Sequence, residues 1–352
     1  MLISVLNIKV WRLAIIFTIM NRKSFFAAAA AISIAPLKSI AQLSLQENDS
    51  IAKMPILKPG DTIGITCPAG FITLDDIKPG LQALENWGFK TKIGNTVNAK
   101  WNTFGGTDEE RKTDLQNMLN DSSIKAIMCA RGGYGCMRII DDLNFTNFKL
   151  KPKWLIGFSD ITALHYHLYT LGIPSIHSKM LNSFPKDPLL IDDTHKSIFS
   201  ALTNLKNKYP VAINTNNVLG NGKGKLIGGN LSIVYNMVGT KSDVNTKGCI
   251  LFLEDVSEQL YSIDRMLWNL RRSGKLKNLQ GLIIGGFNRL KDDEKDPFVL
   301  NIIDMVTAVT KGYKYPIVYD FPVGHQKNNY ALICGQVHQL KVIANEVILE
   351  QV

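Results

Sequence analysis

The run IKAIMCA, residues 124 to 130, is apolar almost throughout, so a strand built from it has two faces to bury. KWLIGF, residues 153 to 158, has the same character. Strands of this kind belong inside parallel sheets covered by helices on both sides, which restricts the chain to the α/β class. Flanking segments agree. TIGITCPAG reads as a short buried strand ending in Pro68-Ala69-Gly70, and KTKIG as another strand. TLDDIKPGLQALENWGF and DEERKTDLQNMLND have helical periodicity, the second with Leu115, Met118 and Leu119 on one face. Further helices are expected around Met137, Ile140 and Leu143 and over DITALHYHLYTL. The alternation predicts an N-terminal α/β domain over 56–183, a parallel sheet of flavodoxin or Rossmann type.

Residues 184–223 interrupt this rhythm with Pro185, Pro188, Pro210 and the Asn-rich NTNNVLGNGKG, the composition of an interdomain connection. From 224 onward the segments KLIGGNLSIVYNMVGT, GCILFLEDV, QGLIIGGF, PIVYDFPVG and YALICGQVHQLKVIANEVILE read mostly as strands. One long helix is expected at YSIDRMLWNLRRSG, and the chain ends in an antiparallel hairpin pattern. The prediction for 224–352 is a mixed, strand-rich α/β domain.

The chain has 352 residues, 45% hydrophobic and 20% charged, enough for about two ordinary globular domains. A formal charge of +10 invites a nucleic-acid reading, but residues 1–42 hold five cations and no acid. Without them 35 basic residues face 30 acidic ones. No Lys/Arg cluster interleaved with aromatics remains, so no nucleic-acid partner is expected; a mild positive balance suits a small anionic substrate. MNRKSFFAAAAAISIAPLKSIAQ has the basic start, apolar run and small-residue end of a secretory signal. Residues 1–41 are therefore expected to be a leader, with 1–19 an upstream extension if Met20 is the start. The expected location is periplasmic or otherwise exported, and cytoplasmic if the leader is not functional. Lys9, Arg12, Arg22 and Lys23 break any uncharged span of about 18 residues, so no stable membrane span is expected in the mature chain. Cys67, Cys129, Cys136, Cys249 and Cys334 form no C-x-x-C and mostly lie in or beside strand-like runs, as buried free thiols do.

Four places could carry chemistry. In Gly157-Phe158-Ser159-Asp160 a strand runs straight into a helix. Ser159 is then either a helix cap or a nucleophile on a tight corner whose following N–H meets an oxyanion. G-x-S-x-G itself is not met, since Ile161 takes the last place. Arg131-Gly132-Gly133-Tyr134-Gly135 is either a cradle for negative charge or a turn needing positive φ. Glu254 and Asp255 end an apolar strand and point to opposite faces; either could orient a histidine or sit in solvent. His325 lies in a loop after a strand, a proline and a glycine, where a general base could be carried. His165 and His167 are two apart on a helix and face different ways, and without a His/Cys/Asp cluster no metal is expected.

In order, KPGDTIGITCPAG, ARGGYGCMRIIDDL, PKWLIGFSDITALH, KLIGGNLSIVYNMVGT, LFLEDVSEQLYSIDRML and FPVGHQKNN resemble the LD-carboxypeptidases, serine peptidases that include the microcin-immunity peptidases. Each motif is modest; six in one order are specific. The resemblance runs from about residue 56 to near the C-terminus. It implies Ser159 as nucleophile, Glu254 as the acid that orients the base, and His325 as base. It further implies an oxyanion hole from the amides of Asp160 and Gly133, a structural or site-lining Asn230, no cofactor, and a homodimer. The implied substrate is a murein tetrapeptide cut before its C-terminal D-alanine. Its terminal carboxylate needs a cation, for which Arg131 is the candidate. Hydrolysis of peptidyl-nucleotide conjugates is the alternative within the family. A non-catalytic periplasmic peptide-binding protein is the alternative outside it.

Overall fold

The computed structural model describes residues 51–207 and 209–352. The leader expected over residues 1–41 lies outside the described residues. Among them no helix is long and apolar enough to cross a membrane.

In the first half the strands are β1 (Thr62–Thr66), β2 (Lys90–Ile93), β3 (Ile124–Cys129), β4 (Trp154–Gly157) and β5 (Ser175–His177). They alternate with helices α1 (Leu74–Asn86), α2 (Asp108–Asn120), α3 (Cys136–Ile139), α4 (Thr146–Leu150) and α5 (Thr162–Thr170). Helix starts follow local chemistry: Thr73 with Asp76, and Thr107 with Glu110, close reciprocal capping boxes on α1 and α2. Helix α6 (Asp193–Leu202) follows, capped by Asp192. Next come β6 (Gly220–Asn230), α7 (Leu231–Met237), β7 (Ile250–Val256), α8 (Leu260–Arg272), β8 (Gly281–Asn288), α9 (Ile302–Thr310) and β9 (Ile317–Val318). The chain closes with β10 (Leu332–Cys334), β11 (Val337–Ile343) and β12 (Glu346–Gln351).

The strands form two sheets. In the first, β2-β1-β3-β4-β5 are parallel in the flavodoxin order, and β10 joins the edge of β5 antiparallel. In the second, β6-β7-β8-β9 are parallel, with β11 and β12 added antiparallel on the β6 side. Both expected architectures are present. The two-faced burial expected of IKAIMCA is visible residue by residue. Ile127 and Cys129 enter one apolar cluster, while Ala126, Met128 and Ala130 enter another. The first of these clusters also contains Leu226, Phe252 and Leu253, so it is continuous from the first sheet into the second.

Several expected elements differ. The stretch read as connection contains α6, and β6 begins at Gly220, inside it. LSIVYNM is a helix rather than strand, and α9 was not anticipated. The helix expected through Leu143 is only α3 and a 3-10 turn, Ile140–Asp142. All five cysteines are buried thiols outside any disulfide, as expected.

Candidate active site

In a doubly wound sheet the ligand crevice opens where the strand order reverses, beyond the carboxyl ends of the two strands that part there. Here that point lies between β1 and β3. Strand β1 leads into Pro68-Ala69-Gly70 and β3 into the Arg131–Gly135 turn. The two are tied by Gly70 N–H donating to Gly132 O at 2.9 Å and by Arg131 Nη1 donating to Phe71 O at 2.7 Å. Gly133 and Gly135 have φ of +108° and +142°, so this turn does need glycine.

Strand β4 ends beside this turn, and its exit shows that Ser159 does not cap a helix. A capping serine has extended backbone and accepts an N–H from the first helical turn. Ser159 instead has φ of +64°, a left-handed conformation costing a non-glycine residue roughly 1–2 kcal/mol. Neither the 3-10 turn Ser159–Ile161 nor α5 has a side-chain cap. A strained serine between strand and helix is the backbone geometry of a nucleophile elbow. Gly157 permits it, because a Cβ there would lie 2.9 Å from Ile161 Cγ1. Gly132 packs against the result: a Cβ on it would lie 2.9 Å from Ser159 Cβ and 3.2 Å from Oγ.

The second sheet brings an acid and a histidine to the same corner. Glu254, near the end of β7, is fully buried. Its Oε2 accepts two hydrogen bonds, from His325 Nδ1 at 2.7 Å and His325 N–H at 3.1 Å. Beside Glu254 the β7–β8 register slips, Leu253 facing Ile284 but Asp255 facing Phe287, so β8 carries the extra residue. The slip falls at Gly285-Gly286, where a Cβ on Gly285 would lie 2.5 Å from Val323 O. The glycine pair gives the histidine loop room to dock. Within that loop Gly324 has φ of +98°, and a Cβ on it would lie 2.5 Å from Glu254 Oε2. Gly324→Ala is therefore expected to displace the acid and lower kcat/KM by about 100-fold, checked by steady-state kinetics on folded protein.

Asn288 Nδ2 donates to His325 O at 2.7 Å, and Gly324 N–H donates to Asn329 Oδ1 at 2.9 Å. The histidine ring lies 4.8 Å, centroid to centroid, from Phe158, the residue before the serine. With Nδ1 committed to Glu254, Nε2 is the ring nitrogen that can serve a hydroxyl. Burial pulls the imidazole pKa down, but the Glu254 hydrogen bond and charge, with Asp255 behind them, more than reverse this. The net shift is upward. A histidine acting as base works only when neutral. The acid limb of kcat/KM should therefore fall above the ordinary histidine value of about 6.5, with activity lost as pH drops through it. A pH–rate profile checks this.

Asp255 points the other way, as strand alternation requires. It accepts from Asn230 Nδ2 at 2.9 Å, Ser232 N–H at 2.9 Å and Val256 N–H at 2.7 Å. Burial pushes its carboxyl up to about 7, against the pull of the Val256 N–H. Asn230 is 5% exposed and caps α7, its Oδ1 accepting from Ile233 N–H. Its backbone N–H donates to Thr162 Oγ1 at 3.2 Å, joining the second sheet to α5. These contacts fix Asn230 where the second sheet meets α5. Arg131 is exposed at the rim. His165 is buried, its Nε2 on Gly157 O and Nδ1 on Ser175 Oγ. Asn288, Asn329 and the Asp160 side chain were not singled out from sequence; a lone Asn or Asp at an element end carries no distinguishing pattern.

This arrangement coincides with a known family. Residues 63–178 match the LD-carboxypeptidase N-terminal domain and residues 223–340 the LD-carboxypeptidase C-terminal domain. The chain is 30% identical over 308 residues to a probable murein peptide carboxypeptidase of Bacillus subtilis, covering 85% of this chain and 94% of that one. It is 30% identical over 292 residues to the murein tetrapeptide carboxypeptidase of Pseudomonas aeruginosa, covering 79% and 92%. The crystal structure of muramoyltetrapeptide carboxypeptidase from Oxalobacter formigenes superposes with a TM-score of 0.74 at 27% identity, covering 82% of this chain and 98% of that one. The chain belongs to the LD-carboxypeptidase family. It is a hydrolase, a carboxypeptidase of the serine type.

Proposed function

We propose that the protein hydrolyses the amide before the C-terminal D-alanine of murein tetrapeptides through Ser159, His325 and Glu254. One observation carries this reading: a Glu254–His325 hydrogen bond whose imidazole packs on Phe158, the residue before a serine held at positive φ. His325 Nε2 takes the Ser159 proton as Oγ attacks the scissile carbonyl, and Glu254 supports the imidazolium that forms. The amides of Asp160 and Gly133 receive the oxyanion. His325 then protonates the leaving D-alanine, and a water activated by the same ring hydrolyses the acyl-enzyme. Arg131, exposed beside the glycine turn, takes the terminal carboxylate. The leader pattern supports export to the compartment where murein lies. Incubation with purified tetrapeptide should yield tripeptide and D-alanine by mass spectrometry; an unchanged tetrapeptide with folded enzyme counts against the substrate.

A second reading rests on a relative. The microcin self-immunity protein of Escherichia coli is 26% identical over 305 residues, covering 76% of this chain and 87% of that one. The same triad would serve a peptidyl-nucleotide amide, so that conjugate is the substrate to test beside the tetrapeptide.

A further inference from the structure

Asp160 follows the serine, yet its side chain turns into the fold and is 1% exposed. Its Oδ2 accepts the Cys136 N–H at 2.7 Å. Cys136 opens α3, and the preceding residue, Gly135, has no side chain with which to cap it. The acceptor comes instead from the serine corner. Arg111, fully buried, holds the same turn from the other side, donating through Nη1 to Gly135 O at 2.9 Å and Pro68 O at 2.6 Å. Asp160 thus grips the N–H of Cys136 while Arg111 grips the carbonyl of the residue before it. The turn packs against the serine corner with no room for a side chain at Gly132, since a Cβ there would lie 2.9 Å from Ser159 Cβ.

We infer that the Asp160 carboxyl is a positioning residue: it fixes the glycine turn against the serine corner and so sets the spacing of the two amides that receive the oxyanion. The inference rests on the serine mechanism proposed above. The bond joins the two segments that would supply those amides, and it is the side chain of one donor residue that makes it. Burial raises the Asp160 pKa, while the Cys136 N–H and the Arg111 charge draw it down. Oδ1 has no partner among the described residues. Accepting one N–H requires no charge, so an amide at this place should do the same work.

The test compares Asp160→Asn and Asp160→Ala with the parent, using tetrapeptide turnover, a peptidyl boronic acid that mimics the tetrahedral intermediate, and the tripeptide product as ligand. Asp160→Ala should lose about 100-fold in kcat with KM within about twofold, the size of one misplaced oxyanion donor. Boronate affinity should fall in parallel and product affinity stay unchanged, a split that general loosening of the fold would not produce. Asp160→Asn should stay within about threefold of the parent in all three. Parental kcat in Asp160→Ala, equal losses of boronate and product affinity, or a similarly impaired Asp160→Asn would each overturn the inference. If Asp160→Ala does not fold, Asp160→Asn alone decides. Turnover surviving Ser159→Ala overturns the serine mechanism itself. Turnover lost there but untouched in Asp160→Ala overturns only the positioning role.

Discussion

Ser159→Ala should fold like the parent and lose about 10⁴-fold or more in kcat for the tetrapeptide. In the proposed mechanism the hydroxyl is the attacking group; the Cys136 thiol, beside Asp160, is fully buried and its pKa is raised by that burial, so it does not replace the serine. Binding groups and oxyanion amides remain, so the residue of activity is what they supply without covalent catalysis. Stability should change by no more than about 0.5 kcal/mol, because the residue is not fully buried and caps no helix. Steady-state kinetics alongside thermal melts measure both. Parallel loss of activity and melting temperature would instead mark a structural serine.

Glu254→Gln is the second large effect, with kcat expected to fall by about 10³- to 10⁴-fold at little change in KM. A glutamine oxygen can still accept from His325, but the charge that supports the imidazolium is gone. The new NH₂ must occupy the place of Oε1, which is buried with no partner among the described residues. Loss of the carboxylate also leaves burial as the main influence on the ring. The acid limb of the pH–rate profile should therefore move down relative to the parent, opposite in sign to the parent's own shift. An unchanged limb would mean that His325 is not the group whose ionisation governs the rate.

The first sheet was legible because its central strands are apolar on both faces, a pattern few other architectures accommodate. The second was read less well for identifiable reasons. LSIVYNM spans only two helical turns, and over so short an apolar run strand and helix periodicities cannot be told apart. Helix α6 was hidden by the prolines around it. The glycines of GNGKG, read as connection, open β6, where strand β11 pairs alongside. That β10 returns to the first sheet depends on contacts far apart in sequence, which local pattern does not encode. At the site, residues alone left Ser159 between cap and nucleophile. The positive φ excludes the extended backbone of a cap, and φ is not written in the residue type. Strand alternation correctly sent Glu254 and Asp255 to opposite faces, but which of them meets the histidine required the β8 slip and the His325 loop. The non-catalytic binding reading gives no role to the buried Glu254–His325 pair.

The most direct test of the account is to quench the protein during tetrapeptide turnover and locate the acyl group by peptide mass mapping. The account predicts a tripeptidyl ester on Ser159, absent in Ser159→Ala, with D-alanine released in step. Turnover that persists in Ser159→Ala, or an acyl group on another residue, would contradict it.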